Sequence, residues 1–163
     1  MRAAWLIAAL AAACGHAQKV EETLVLPPYP RDERLIEFFV TATSEFRFFV
    51  DPAAVRPGSD GVVRYTLVAR SSAGAENVSY EGLRCASADV RIYALGRERG
   101  WVSSKADWRP IRTQWHIVLY REYFCPQKEP IASAGEGIEA LRRGGPSITR
   151  SLSEDIPRGG GAR

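Results

Sequence analysis

Val62-Val63-Arg64-Tyr65-Thr66-Leu67-Val68-Ala69-Arg70 is the stretch that decides the fold. It is rich in β-branched and aromatic residues. Val63, Tyr65, Leu67 and Ala69 alternate with Arg64, Thr66 and Arg70, the period of two expected of a strand with one face on a core and the other in solvent. Ser59-Asp60-Gly61 precedes it and Ser72-Ala73-Gly74-Ala75 follows it, both of them turn sequences. Short turns at both ends pair a strand with its neighbours in sequence, so the pattern predicts an antiparallel meander.

The same logic extends outward. On the N-terminal side, residues 35–40 (LIEFFV) and 46–50 (FRFFV) read as strands separated by a polar turn at 41–45, and Asp51-Pro52-Ala53-Ala54-Val55 reads as a short helical turn capped by Asp51. On the C-terminal side, residues 77–85 and 89–95 read as strands, the second with Val90, Ile92 and Ala94 alternating against Arg91 and Tyr93. Beyond the turn at 96–100 the pattern changes. Residues 112–124 place Trp115, Val118, Leu119 and Glu122-Tyr123 at helical spacing up to Pro126, and residues 132–143 form a second, weaker helix closed by Gly144-Gly145-Pro146. The predicted class is α+β, an antiparallel β-meander sheet packed against one or two C-terminal helices. Residues 18–34, polar and interrupted by Pro27, Pro28 and Pro30, form an extended lead-in; residues 35–143 form the single domain; residues 144–163 form a Gly/Pro/Arg-rich disordered tail.

The first residues carry an address. Met1-Arg2 is a positive start, residues 3–14 (AAWLIAALAAAC) are an apolar run too short to anchor in a bilayer, and Gly15-His16-Ala17 presents small residues where a signal peptidase cuts. Residues 1–17 thus read as a signal peptide, with cleavage before Gln18 and a periplasmic destination. Ala11-Ala12-Ala13-Cys14 offers a rival site, at which Cys14 becomes the lipidated first residue of an envelope or cell-surface protein. Cleavage before Gln18 leaves two of the three cysteines, Cys85 and Cys125, in a compartment that oxidises thiols, and a disulfide between them is predicted.

Composition narrows the function classes. The formal net charge is +3 and falls by one with Arg2, too little to argue for nucleic acid, and the mature chain has no integral membrane span. His116 is the single histidine after residue 17, and the disulfide would consume both remaining thiols, so no nucleophile–base pair is expected. A Gly-x-Ser-x-Gly elbow, a metal-ligand cluster and a phosphate-binding glycine loop are all missing from the sequence, and neither enzyme activity, metal nor cofactor is predicted. The better reading is a binding module for an envelope ligand or protein. Trp101, Trp108, Arg109, Arg112, Trp115 and Arg121 concentrate flat aromatic and guanidinium groups that could stack on sugars or pair with anions.

Two resemblances rest on these strings. From about residue 24 to 145, LIEFFV, FRFFVDPAAV, DGVVRYTLVARS, GAENVSYEGLRC, WRPI and LYREYFCP together resemble the CNP-one-like family of uncharacterised exported proteins of Gram-negative bacteria, which implies export and names no activity. More broadly, Phe49-Val50-Asp51-Pro52, then Cys85, then Trp108-Arg109-Pro110-Ile111, then Cys125 is similar in order to the surface-adhesin protein E fold. That likeness implies an antiparallel sheet, a closing helix and the Cys85–Cys125 bridge; a surface adhesin is the alternative function it suggests.

Overall fold

A computed structural model describes residues 20–144; residues 1–17, read above as a signal peptide, with Cys14 among them, and nearly all of the predicted C-terminal tail lie outside the described residues. Seven antiparallel strands form one sheet: β1 (Ile36–Phe38), β2 (Phe46–Pro57), β3 (Val62–Ser71), β4 (Glu76–Arg84), β5 (Asp89–Arg97), β6 (Gly100–Ser103) and β7 (Arg109–Pro110). The first six lie side by side in chain order, and β7 pairs with β5. Helix α1 (Gln114–Val118) runs directly into a π-helical turn (Leu119–Phe124), and α2 (Ala134–Arg142) follows. The predicted α+β meander is the observed fold.

Strand β3 lies at the centre, and the register assigns its faces. Tyr65 sits opposite Glu81 and Leu67 opposite Ser79, so Val63, Tyr65, Leu67 and Leu83 share the helix-side face. There they meet Phe48, Val50, Leu119, Phe124 and Leu141 in the main core. Burying each such side chain stabilises by roughly 1.5–3 kcal/mol relative to exposing it. The start of α2 is held by reciprocal bonds: Ser133 Oγ accepts the Glu136 N–H at 3.2 Å, and Glu136 Oε2 accepts the Ala132 N–H at 2.8 Å.

Three expectations need correction. Asp51–Val55 is no helical turn. It lies inside β2, where the register slips between Asp51 and Arg56 in a bulge. The cap that Asp51 promised exists, since its Oδ1 accepts the Ala53 N–H at 3.0 Å, but it holds the bulge together instead of starting a helix. Second, Arg64 and Thr66 do not point into solvent; they are 5% and 0% exposed. Third, the helix over 112–124 is not uniform: the Cys125 N–H bonds Tyr120 O, five residues back, at 2.9 Å.

The second correction has a simple cause. The lead-in crosses the other face of the sheet as a strap, with its own Pro27 and Pro30 buried. Phe49, Val68 and Val78 pack there against Tyr29, Leu35 and Trp101, and Tyr80 and Tyr93 against Leu26, Trp101 and Trp108. The sheet is therefore covered on both sides, and the polar residues of β3 are enclosed with the rest.

Candidate functional site

The six residues of the predicted aromatic–arginine surface are not brought together. Trp101 and Trp108 belong to the strap face. Trp101 Nε1 donates to Pro27 O at 2.8 Å, its ring lies against Tyr29 and Tyr80, and Trp108 stands edge-on to Tyr93 under the Arg84 guanidinium. Trp115 is on the opposite side of the sheet, stacked on Phe48 with ring centroids 5.2 Å apart. Arg109, Arg112 and Arg121 are exposed. The tryptophans are thus spent on packing, and only the arginines remain free to meet a ligand.

Two polar constellations hold the faces of the sheet. On the strap face, Glu21 accepts from Tyr93 Oη at 2.6 Å, Arg91 Nη1 at 3.2 Å and Trp108 Nε1 at 3.3 Å. Partial burial pushes the Glu21 carboxyl up, but the Tyr93 and Trp108 hydrogen bonds and the charges of Arg91 and Arg64 outweigh it and leave it below its ordinary value. Beside it the buried Arg64 guanidinium bonds Asp60 Oδ2 at 2.6 Å. Arg64 Nε and Thr66 Oγ1, both enclosed on this face, have no hydrogen-bond partner.

On the helix face, Glu81 and His116 are buried together, with His116 Nε2 2.7 Å from Glu81 Oε2. Tyr65 Oη donates to the same carboxylate oxygen at 2.7 Å and Ser79 Oγ to the other at 2.6 Å, while Thr113 Oγ1 lies 2.5 Å from His116 Nδ1. Burial alone would raise the Glu81 carboxyl. The hydrogen bond and charge of His116, then the Ser79 and Tyr65 bonds, overcome it and hold the group below its ordinary value. Burial, and then the Glu81 charge, push the Tyr65 hydroxyl well above its ordinary value. Every polar atom of Glu81 and His116 is used inward, so the row fastens α1 to β3 and β4.

The disulfide fastens the same layers a second time. Cys85, just after β4, is joined to Cys125, just after the π-helical turn, with Cα atoms 5.2 Å apart. Tyr120 Oη donates to Cys85 O at 2.7 Å. Next to this bridge the surface opens into a groove of about 500 Å³, lined by Ala88, Ile111, Ile117 and Tyr120 together with Arg121 and Lys128. Neither cation makes an ion pair among the described residues, and no carboxylate is part of the lining.

The backbone around the groove is unusual. Ala88, Gln127 and Lys128 line it with φ of 56°, 55° and 67°, three of the five non-glycine residues of the described chain in the left-handed region. Such a conformation costs about 1–2 kcal/mol for a residue with a Cβ. Here it is held by Ile111 N–H to Ala88 O at 3.0 Å and Lys128 N–H to Cys125 O at 3.1 Å. Strained backbone and π-helical turns concentrate at working sites. Of the predicted surface, Arg121 alone belongs to this groove. Lys128 and the left-handed turn escaped sequence reasoning, because no residue type there announces either.

With the geometry established, comparison with known proteins is informative. Residues 16–142 match the CNP1-like family. A relative, Cryptic neisserial protein 1 of Neisseria gonorrhoeae, is 26% identical over 138 residues, covering 71% of this chain and 68% of that protein. No solved structure matches the chain. The matched span runs from before the strap to the last residue of α2, taking in both faces of the sheet, the disulfide and the groove; the chain belongs to the CNP1-like family.

Proposed function

We propose that the protein is exported to the periplasm and acts there as a non-catalytic binding module of the cell envelope. The observation that carries this reading is the Cys85–Cys125 bridge, which ties the sheet to its closing helix and is at home in an oxidising compartment. Residues 1–17, with their positive start, apolar run and small-residue cleavage site, supply the route. The non-catalytic part of the reading is supported by how the reactive side chains are committed. The two cysteines of the described chain are oxidised to one another, and His116 is enclosed with Glu81.

The test is the intact mass of the protein recovered from its native cells, alkylated with and without prior reduction. A chain that begins at Gln18 and takes up label only after reduction is the expected result. A chain that begins at Cys14 with acyl groups attached replaces the soluble periplasmic protein with a lipid-anchored one, the setting in which an adhesin would work. An uncleaved chain with free thiols refutes export altogether.

A further inference from the structure

We propose that the groove beside the π-helical turn is a seat for a small amphipathic anion, with its carboxylate or phosphate head on Arg121 and Lys128 and its apolar body against Ile111, Ile117 and the Tyr120 ring. The assignment rests on the reading of the protein as a binding module and names the class of ligand.

Four observations converge on it. The lining combines aliphatic and aromatic walls with two cations and the Gln127 amide, and no carboxylate. An apolar ligand would leave both cations unanswered, and a bare inorganic anion would leave the walls wet, so the complementary molecule has both parts. The cations come from different segments. Arg121 is on the π-helical turn and Lys128 lies beyond Pro126, so two separate stretches of chain converge on one opening. The volume of about 500 Å³ lies within the range of small-molecule sites, roughly 300–1,000 Å³.

The fourth observation is preorganisation. Left-handed Gln127 and Lys128 come two and three residues after Cys125 of the disulfide, and left-handed Ala88, three residues after Cys85, also lines the opening. The backbone from which the Lys128 side chain projects is therefore a turn tied to the disulfide, with its N–H on Cys125 O at 3.1 Å. A receptor built this way loses little conformational freedom when it binds. Tyr120 is fixed as well, since its hydroxyl is already committed to Cys85 O and it offers the ligand only its ring.

The experiment is a titration of the disulfide-bonded mature protein with decanoate, decyl phosphate and decanol, each below its micellar concentration, followed by amide chemical shifts. Both anions should bind saturably with shifts confined to residues 111–128 and the neighbourhood of Ala88, and decanol at least ten-fold more weakly. Arg121→Gln and Lys128→Gln should each raise Kd about ten-fold or more, equivalent to ~1.4 kcal/mol, and Arg112→Gln, which is exposed but outside the lining, should leave it unchanged. Tighter binding of decyl phosphate identifies a lipid-derived head as the natural class, and tighter binding of decanoate a free acid; either supports the site. The proposal is overturned by equal affinity for decanol, by shifts on the strap face, by indifference to both groove variants, or by binding to phosphatidylglycerol vesicles without binding of the soluble anions. The mass measurement reads export separately: a reduced, unprocessed chain defeats that reading whatever the titration returns, and a flat titration defeats the groove alone.

Discussion

Replacing His116 with alanine isolates what the buried row on the helix face contributes. In the native protein Glu81 is 2% exposed and receives His116, Tyr65 and Ser79. Removing the imidazole leaves the carboxylate enclosed with two hydroxyl donors and no partner on α1. Deleting one member of a buried pair costs about 3–5 kcal/mol, most of it the penalty of a charge left behind. That is a large share of a total stability of roughly 5–15 kcal/mol. For a domain of this size it should lower Tm by about 10–20 °C.

The charge origin of the loss can be separated from the packing loss with Glu81→Gln. In the double variant no charge is stranded, so its cost should fall short of the sum of the single costs by at least ~1 kcal/mol. Urea denaturation of the four proteins at pH 7 measures this, and acid titration checks it again. Because the folded Glu81 carboxyl lies below its ordinary value of 4.5, its contribution is fully present above that pH and is lost as pH falls through the folded value. Native protein should therefore lose stability progressively below about pH 4.5, and Glu81→Gln should lose less over the same interval. Simple additivity, or a His116→Ala cost under ~1 kcal/mol, would refute the account of the row as a charged clamp.

Two further outcomes test other parts of the structure. Reducing Cys85–Cys125, whose partners are 40 residues apart, should cost roughly 3–4 kcal/mol by the chain-entropy relation and lower the urea midpoint without changing the far-ultraviolet spectrum of the protein that remains folded. Glu21→Ala should cost about 1–3 kcal/mol, because Tyr93, Arg91 and Trp108 lose a shared acceptor. It should also shift the emission of Trp108, and an unchanged spectrum would mean that the strap is not seated on the sheet.

The legible part of this fold is the part governed by local pattern. Alternation at 62–70 and the turns on either side were enough to place the meander, because each hairpin pairs segments that are adjacent in sequence. The misreadings share one physical source, which is long-range contact. Arg64 and Thr66 look like solvent-facing positions until a strap from 40 residues upstream lies over them; nothing within a strand's own window reports that cover. Asp51-Pro52 carries a true capping signal, yet a cap can hold a strand bulge as well as a helix, and the neighbouring β3 decided between them. The tryptophans were similarly ambiguous. Trp101, Trp108 and Trp115 are close in sequence and lie on opposite sides of the sheet, so proximity along the chain suggested a surface that space does not assemble. The groove was legible only in Arg121, since left-handed backbone at Ala88, Gln127 and Lys128 leaves no mark in residues of ordinary type.

The strap also sets an order of events. Apart from β5 with β7, the strand pairings of the sheet are hairpins between neighbours in sequence, whereas Glu21 reaches Arg91 and Tyr93 across 70 and 72 residues. Contacts that close long loops are entropically late, so the meander is expected to form first, with Tyr80, Tyr93 and Trp101 covered only when the N-terminal segment docks. In reverse, the strap should be the first piece to peel away. A protease acting on the folded protein should therefore make its earliest cuts within residues 20–34, and the time a nascent molecule spends before that segment docks is the time during which it is most liable to stick to another.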